Sequence, residues 1–403
     1  MTSTDETAAM DETSGTDDPD ETADRIRDES PSQTALSESN LHTKALCDYV
    51  INVAEGCRHG CRFCYVPSTP AVRMDPGGKL AAAGVDDVRS EWGDYVLYRS
   101  DVVQNTADDC QRLIGQPQGH GREHGHEHEH QGSWKTTERG QGVVGLSFGT
   151  DCYMDRRAGE LTGGAVATLV GYNRPVRILT RNPVLLTSMH GEFYSHLPSS
   201  LVTIGSSIPA LETDDVTVME PAAPPVEHRF RGLEELRDDA PQLPRFVSMS
   251  PTYPTQDDTD LRRLLEQIAD RIDPTVVFHE PINPRGGNLE ACIQGARAHG
   301  RDDLAAGLER ITDRDEWRRY ALRQLTAVQR AATDVGQRVH LWPDADLLEN
   351  APTAAQREWC RAWRERPSPE HVGFGPACDR PYPELPAVET HDQGTLTQYG
   401  GSA

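Results

Sequence analysis

The sequence predicts an α/β protein whose main domain is a partial (β/α)6-type TIM barrel. Two observations lead to this prediction. Apolar runs of strand length alternate along the chain with helix-like segments, a pattern typical of a parallel sheet with right-handed crossovers. Polar or reactive residues follow the ends of several of these strands, where parallel sheets gather their ligands. A complete barrel and a doubly wound sheet are the alternatives that the alternation leaves open.

The elements can be assigned in chain order. The predicted strands cover residues 95–98, 143–148, 176–180, 201–204, 246–249, 276–279 and 339–342. Helix-like segments separate several of them, at residues 161–170, 227–237, 258–271 and 317–335. Asp258 and Thr259 are candidate N-caps for the third of these helices. The polar residues that follow strands are Thr150 and Asp151, Arg181 and Asn182, Ser206 and Ser207, Ser250, and His279 with Glu280.

Low-complexity segments flank and interrupt the predicted domain, which spans residues 45–345. Residues 1–40 are rich in Asp, Glu, Thr and Ser and carry almost no large apolar side chains, so we expect a disordered acidic tail. Residues 115–133 form a His-rich insertion loop, which is either a solvated loop or a binding site for divalent metals. Residues 346–403 form a C-terminal extension, partly loose because its end is rich in Pro and Gly.

The composition indicates a cytoplasmic protein with an acidic surface. The chain has 403 residues, a formal net charge of −24 and only three lysines, Lys44, Lys79 and Lys135. This pattern is expected of proteins that work in concentrated salt, where repulsion between carboxylates is screened. Nucleic acid is a disfavoured partner, because binding a phosphate backbone needs a basic stripe. No apolar run approaches the 18 residues that a membrane span needs.

The stretch GCRHGCRFCY at residues 56–65 holds three of the nine cysteines, Cys57, Cys61 and Cys64. Nine is an odd number in a long chain without a secretory signal, which favours a metal site over a disulfide framework. Three thiolates would hold an iron–sulfur cluster with one iron left open for another ligand. Structural zinc usually takes four protein ligands, and Cys47 or His59 would have to supply the fourth. A non-catalytic zinc protein that uses this triad and the His-rich loop is therefore the alternative.

The cysteine motif resembles the signature of the radical S-adenosylmethionine (SAM) superfamily, C-x3-C-x-Φ-C with Φ aromatic. Cys57, Cys61, Phe63 and Cys64 fill its four positions. The resemblance implies a 4Fe–4S cluster whose open iron chelates SAM, and a reductant such as ferredoxin or flavodoxin. It also implies reductive cleavage of SAM to a 5′-deoxyadenosyl radical, which abstracts hydrogen from a substrate that the sequence does not name. Phe63 would pack near the adenine of SAM.

The chain is further similar to the spore photoproduct lyase-like branch of that superfamily and its uncharacterised relatives. The similarity covers roughly residues 45–345 and is carried by stretches such as LSFGTDCY (146–153), RILTRNP (177–183) and TIGSSIP (203–209). By position, it implies SAM contacts for Thr150 and Asp151, for Arg181 with the SAM carboxylate, and for Ser207. Capping a turn is the competing role for Thr150 and Asp151, and a surface ion pair is the competing role for Arg181.

One departure bears on the activity. The lyases of this branch carry a hydrogen-donating cysteine two positions before the Ser/Thr-Asp pair, and this chain has Phe148 there. DNA photoproduct repair is therefore disfavoured as the activity. Cys152, on the other side of the pair, is a candidate catalytic radical relay, with a buried structural thiol as the competing role.

Overall fold

The computed structural model describes residues 25–29, 34–44, 46–114, 142–211, 213–366 and 381–386. Its strands are β1 (Ile26–Glu29), β2 (Ser37–Glu38), β3 (Tyr49–Ile51), β4 (Ala54–Gly56), β5 (Val96–Arg99), β6 (Val144–Leu146), β7 (Val176–Thr180), β8 (Val202–Ser207), β9 (Arg245–Thr252), β10 (Val276–Pro281) and β11 (Val339–Leu341). Its helices are α1 (Pro70–Arg73), α2 (Lys79–Ala82), α3 (Val102–Ile114), α4 (Arg156–Gly171), α5 (Pro183–Ser195), α6 (Thr213–Met219), α7 (Val226–Asp239), α8 (Asp258–Ile272), α9 (Asn288–Ala298), α10 (Asp302–Arg310), α11 (Arg314–Val335), α12 (Ala345–Asn350) and α13 (Ala354–Glu365). Short 3-10 turns cover Asn40–Lys44 and Val66–Ser68.

The main sheet confirms the predicted mixed α/β class. Its eight strands lie in the order β2–β3–β6–β7–β8–β9–β10–β11. β2 runs antiparallel to β3, and every other neighbouring pair is parallel. From β3 to β11 the strands therefore follow chain order without a reversal.

A second, three-stranded sheet carries one strand that the sequence predicts. In the order β1–β5–β4, β5 pairs parallel to β1 and antiparallel to β4. The predicted strand at residues 95–98 is thus a real strand, but it lies outside the main sheet. Its neighbour β4 leads directly into the cysteine motif.

The helices pack against one another in the same order as the strands. α3 contacts α4, α4 contacts α5, α5 contacts α7, α7 contacts α8, and α8 contacts α11. Alternate residues of the strands, such as Ile178, Ile204 and Val277, are fully buried in the large apolar core that also holds residues of these helices. The intervening residues, such as Arg177 and Phe246, line a cavity on the other face of the sheet.

Acidic and amide side chains begin several helices by accepting backbone N–H bonds, as Asp155 does for α4 and Asn182 for α5. The N-cap of α8 is Asp257, which forms a capping box with Asp260. The prediction of Asp258 or Thr259 was wrong by one or two positions, because consecutive acidic and hydroxyl residues are equivalent in sequence and only the backbone geometry selects among them.

The sequence predicts disorder up to residue 40, and this boundary is wrong for residues 25–29 and 34–40, which the structure describes as ordered. β1 gains order through backbone pairing with β5, which requires no large apolar side chains. Ala35 and Leu36 are buried, and their N–H groups both donate to Asp109 Oδ2 at 2.8 Å. Residues 1–24 and the His-rich loop of residues 115–133 lie outside the described residues.

The described part of the C-terminal extension packs on the domain. Gln329 of α11 accepts hydrogen bonds from the indole N–H groups of Trp359 and Trp363 of α13, at 3.0 and 2.9 Å. Its amide donates to Pro383 O at 2.7 Å. Among the described residues, no helix combines the length and the apolar character that crossing a bilayer requires.

Candidate functional site

The cysteine loop, residues 57–64, begins where β4 ends. Gly56 has φ +88°, and a Cβ atom there would lie 2.1 Å from the carbonyl oxygen of Tyr95, which directly precedes the neighbouring strand β5. Only glycine meets both conditions, so this residue fixes how the chain leaves the sheet and enters the loop. Thr150 Oγ1 donates a hydrogen bond to Gly56 O at 2.6 Å and ties this point to the segment after β6.

Contacts from several segments hold the loop against the domain. The backbone N–H of Arg62 donates to Met219 O at 2.9 Å, and its guanidinium donates to Val218 O at 2.5 Å. Asn288, at the start of α9, donates to Phe63 O at 3.1 Å, and Arg89 donates to Cys64 O at 2.8 Å. The loop is therefore a fixed part of the fold although it contains no regular secondary structure.

The three cysteines are neighbours in a dry environment. Cys57 and Cys61 are buried and Cys64 is half-buried. Burial raises the pKa of all three thiols, that of Cys57 to about 12, and negative charge on Asp151 at Cys57 and on Glu220 at Cys61 adds to the effect. The positive charge of Arg181 acts in the opposite direction at Cys61 and Cys64.

Over the part of the chain that the structure describes, no group of three or more His, Cys, Asp or Glu side chains is arranged to hold a metal ion. The fit to an iron–sulfur cluster therefore rests on the donor set, three adjacent thiols in one anchored loop beside a cation. Binding a cluster would require the cysteine side chains to turn towards a common centre.

A cavity of about 360 Å³ opens beside this loop, on the face of the main sheet opposite the apolar core. Three of the predicted cofactor-binding residues, Phe63, Arg181 and Ser207, line it. Phe63 comes from the cysteine loop, Arg181 follows β7, and Ser207 ends β8. The Cζ atom of Arg181 lies 5.4 Å from the centre of the Phe63 ring. The structure thus brings these three side chains together at the carboxyl ends of the strands.

Thr150 and Asp151 lie behind the loop and do not line the cavity. Asp151 is buried, and both of its carboxylate oxygens have partners. Oδ1 accepts from Thr180 Oγ1 at 2.6 Å and from Tyr153 N at 2.9 Å, and Oδ2 accepts from Arg181 N at 2.7 Å. His59 Nε2 lies 3.3 Å from Oδ2. These contacts tie the end of β7 to the cysteine loop.

Asp151 is held in its charged form. Burial would raise the pKa of its carboxyl group, but His59 and the hydrogen bonds from Arg181 and Thr180 outweigh burial and hold that pKa well below its usual value. A SAM contact for Thr150 and Asp151 stays a prediction. In the structure, their described contacts position the loop and β7.

The sequence analysis missed an ion-pair cluster behind Arg181. Glu220 Oε2 accepts from Arg181 Nε at 3.1 Å and also pairs with Arg229. Arg229 is fully buried and donates to Ser207 O at 2.9 Å and to Pro224 O at 3.0 Å. The only signal in the sequence was a single Glu in the apolar stretch VMEPAAPP, which alone does not identify a partner.

Arg177 is a second residue that the sequence analysis did not select. It is 2% exposed and lines the cavity, with its Cζ atom 5.7 Å from the ring centre of Phe246 and 5.5 Å from that of Phe278. The available signal was an arginine inside the otherwise apolar strand VRILT, where alternation places it on the face opposite Ile178.

Phe148 and Cys152, on either side of the Thr150–Asp151 pair in sequence, lie in different environments. Phe148 lines the cavity, and its ring occupies the space beside Gly145. Cys152 is fully buried and does not line the cavity, and its Sγ lies 3.8 Å from Leu146 O and 3.7 Å from Leu179 O. A relay role for Cys152 stays a prediction, and its described contacts are those of a packed thiol.

Cys47 and His59, the two candidates for a fourth zinc ligand, lie in different parts of the structure. Cys47 packs with Val50 and Val143 in a small apolar cluster next to Phe148. His59 is 2% exposed within the cysteine loop, and neither of its ring nitrogens makes a hydrogen bond in the described structure.

A scan against models of known protein families gives no match for this chain, and a search of curated proteins finds no match either.

Proposed function

We propose that the protein is a radical SAM enzyme in which Cys57, Cys61 and Cys64 hold a 4Fe–4S cluster. One observation carries the proposal. The loop that bears the three thiols also contributes Phe63 to a cavity that Arg181 and Ser207 line from the ends of two parallel strands. A ligand in that cavity would therefore meet the cysteine loop and the sheet at once.

The proposed scaffold is a partial β/α barrel. Parallel strands in unbroken chain order, joined by right-handed crossovers, place all of their helices on one face of the sheet. The helices contact each other in the same sequence, from α3 and α4 to α8 and α11. A doubly wound sheet would instead have a point where the strand order reverses. The cavity on the face opposite the apolar core, lined by strand residues such as Arg177, Leu179 and Phe246, supports the barrel assignment.

Cys57, Cys61 and Cys64 would hold the cluster, which would supply an electron from an external reductant of the ferredoxin or flavodoxin kind for the cleavage of SAM to methionine and a 5′-deoxyadenosyl radical. The chain's own residues bind and orient. Phe63 offers an apolar ring surface for the adenine, Arg181 offers a guanidinium to the SAM carboxylate, and Ser207 offers a hydroxyl. Glu220 and Asp151 fix the side chain and the backbone of Arg181, respectively, through the bonds described above.

The substrate is left open by this proposal, and repair of DNA photoproducts is disfavoured. Phe148, at the position of the donor thiol, cannot supply a hydrogen atom as a thiol does. Three cations that line the cavity, Lys44, Arg181 and Arg285, pair with the carboxylates of Glu280, Glu220 and Asp344, which does not fit a basic groove that follows a phosphate backbone.

The test is anaerobic reconstitution of the full-length chain with iron and sulfide. We expect a brown protein with about four irons per chain that releases 5′-deoxyadenosine from SAM in dithionite. Cys57→Ala, Cys61→Ala and Cys64→Ala should each abolish that release. Cys110→Ala, which removes a buried thiol of α3 far along the chain from the loop, is the matched control and should retain it. A colourless protein with one zinc per chain and no SAM cleavage would show that the proposal is wrong.

A further inference from the structure

We propose that the cavity beside the cysteine loop binds a planar, uncharged aromatic molecule that carries a hydroxyl group, with His340 as the hydrogen-bond partner of that hydroxyl. The inference rests on the proposed function only in naming this molecule as the substrate. Binding itself requires neither the cluster nor SAM.

Aromatic side chains form much of the cavity wall. Four of the seven phenylalanines in the chain line it, together with Tyr65 and Trp342. The phenylalanines are Phe63, Phe148, Phe246 and Phe278. Such walls favour planar, apolar molecules, because aromatic rings stack or meet edge to face over a large contact area. The concentration of so many rings around one space points to a ring-containing ligand.

His340 is the polar side chain of this wall that a ligand would bond. It is 2% exposed and lines the cavity, with its ring centre 5.4 Å from that of Phe278 and 6.0 Å from that of Trp342. Its Nε2 has no hydrogen-bond partner among the described residues. A polar nitrogen that is buried without a partner is costly, and a ligand group that bonds it would remove that cost.

The state of the His340 ring indicates which ligand group fits. Burial and the charges of Arg366, Arg177 and Lys44 lower the pKa of His340 to about 3, so the ring is neutral at pH 7. A neutral imidazole has one N–H and one bare nitrogen, and its ligand must accept from the first or donate to the second. A hydroxyl group does both, so it fits either tautomer without placing a charge among aromatic rings. A phenol combines this group with the ring that the wall favours.

The register of the sheet sets how such a ligand would lie. Ser207 of β8 pairs with Ser248 of β9, Ser248 with Phe278 of β10, and Phe278 with His340 of β11. All four residues line the cavity. This row spans three strand spacings, or about 14 Å between the Cα atoms at its ends. A phenol bonded to His340 would extend across Phe278 and Ser248 towards Ser207. The end opposite its hydroxyl would then face the predicted SAM site, where a hydrogen atom would be removed.

The probes for the test are 2-naphthol and 2-fluoronaphthalene, added to the full-length protein at pH 7 without SAM. Fluorine replaces the hydroxyl with a group of similar size, and the fluoro compound is the more apolar, so apolar burial alone would favour it. Equilibrium dialysis measures both affinities. We expect 2-naphthol to bind at least about fivefold more tightly, because the fluoro compound leaves the buried nitrogen unpaired. Equal affinities, tighter binding of the fluoro compound, or no binding of either would overturn the inference, and this comparison needs no variant.

His340→Phe keeps an aromatic ring and removes the polar nitrogen, so it should bring the ratio of the two affinities close to one. His190→Phe is the matched control and should keep the wild-type ratio. His190 also lies among aromatic rings, those of Tyr153, Phe193 and Tyr194, but it does not line the cavity. A preference for 2-naphthol that survives in His340→Phe would contradict the proposal.

Ser248→Phe tests the position of the ligand's ring. A phenylalanine in the middle of the row would occupy the space that the ring needs, so both probes should bind several-fold more weakly than to the wild type. Unchanged affinities of both probes would show that the ligand does not lie along this row.

The two proposals fail separately. A reconstituted chain that releases 5′-deoxyadenosine but does not distinguish the two probes would overturn only the substrate class. A chain that prefers 2-naphthol but never cleaves SAM would overturn only the proposed function.

Discussion

The buried carboxylates near the cysteine loop serve the protein's own structure. Asp151 accepts hydrogen bonds on both oxygens, and Glu220 joins Arg181 to the fully buried Arg229. Burial would raise the pKa of Glu220, but the two arginines outweigh burial and hold that pKa below its usual value. The position of Arg181 in the cavity therefore depends on Asp151 and Glu220, neither of which lines the cavity.

Removing one member of the Glu220–Arg229 pair should be costly. Glu220→Gln leaves the guanidinium of Arg229 buried without its carboxylate, and we expect the free energy of unfolding to fall by about 3–5 kcal/mol. Arg229→Met in addition should recover part of this loss, with a coupling energy of about 1–3 kcal/mol between the two sites. Urea unfolding of the wild type, both single variants and the double variant measures that coupling.

Glu227→Gln is the control for this cycle. Glu227 also pairs with an arginine, Arg271, at 2.7 Å, but its side chain is 70% exposed. Solvent screens such a pair, so its loss should change the unfolding free energy by only about 0–1 kcal/mol. Additive effects of Glu220→Gln and Arg229→Met would mean that the two side chains do not stabilise each other.

The sequence predicts the positions of some cavity residues and not those of others. Phe63, Arg181 and Ser207 were predicted together because a motif and two strand ends define them, and the structure places all three around one cavity. Arg177 and His340 could not be paired in advance. They lie on strands that are more than 150 residues apart in sequence, and only the folded sheet brings both side chains against the Phe278 ring in one cavity.

At the scale of elements, apolar patterning predicted most strands of the main sheet. The runs at residues 143–148, 176–180, 201–204, 246–249, 276–279 and 339–342 all overlap main-sheet strands. The signal fails where backbone pairing rather than apolar burial makes the strand. The polar β1 (IRDE) has no apolar pattern, and the short β4 (AEG) owes its order to β5.

The contact between α5 and α7 provides a test at this scale. Gly232 of α7 faces the start of α5, and a Cβ atom there would lie 2.5 Å from Val184 N and 2.6 Å from Pro183 C. Backbone atoms cannot move aside without separating the helices. We expect Gly232→Ala to lower the unfolding free energy by about 1–3 kcal/mol, despite the higher helix propensity of alanine.

Gly191→Ala on α5 should have the opposite sign. The nearest atom to an added Cβ is Thr187 Cβ at 3.9 Å, an ordinary contact, so the propensity gain of about 1 kcal/mol is the main effect. Urea midpoints of the two variants and the wild type provide the comparison. If both substitutions shift the midpoint in the same direction, the close packing of α7 on α5 does not determine the result.

At the scale of the whole molecule, strand order and helix order agree. In the main sheet β3, β6, β7, β8, β9, β10 and β11 lie side by side in chain order, and the helices α3, α4, α5, α7, α8 and α11 contact one another in the same order. The alternation in the sequence predicted such repeated units. It could not decide whether the helices lie on one or both faces, because that depends on contacts between successive helices and not on the pattern of any single one.

The net charge of −24 makes the whole molecule sensitive to salt. At pH 7 the excess carboxylates repel one another across the compact surface, and salt shortens the screening length from about 10 Å at 0.1 M to about 3 Å at 1 M. We expect the urea midpoint of unfolding at pH 7 to rise between 0.1 and 2 M KCl. Salt also strengthens apolar burial to some degree, so the rise at pH 7 alone does not identify its cause.

The same titration near pH 5 separates the two causes. The sequence pI is about 5.0, because protonation of the 15 histidines and of some carboxylates removes most of the net charge there, and hence most of the repulsion that salt screens. An effect on apolar burial would persist at both pH values. The rise of the midpoint with KCl should therefore be clearly smaller at pH 5 than at pH 7. Equal rises at both pH values, or a fall at pH 7, would show that repulsion among the surplus carboxylates does not limit the stability of this fold.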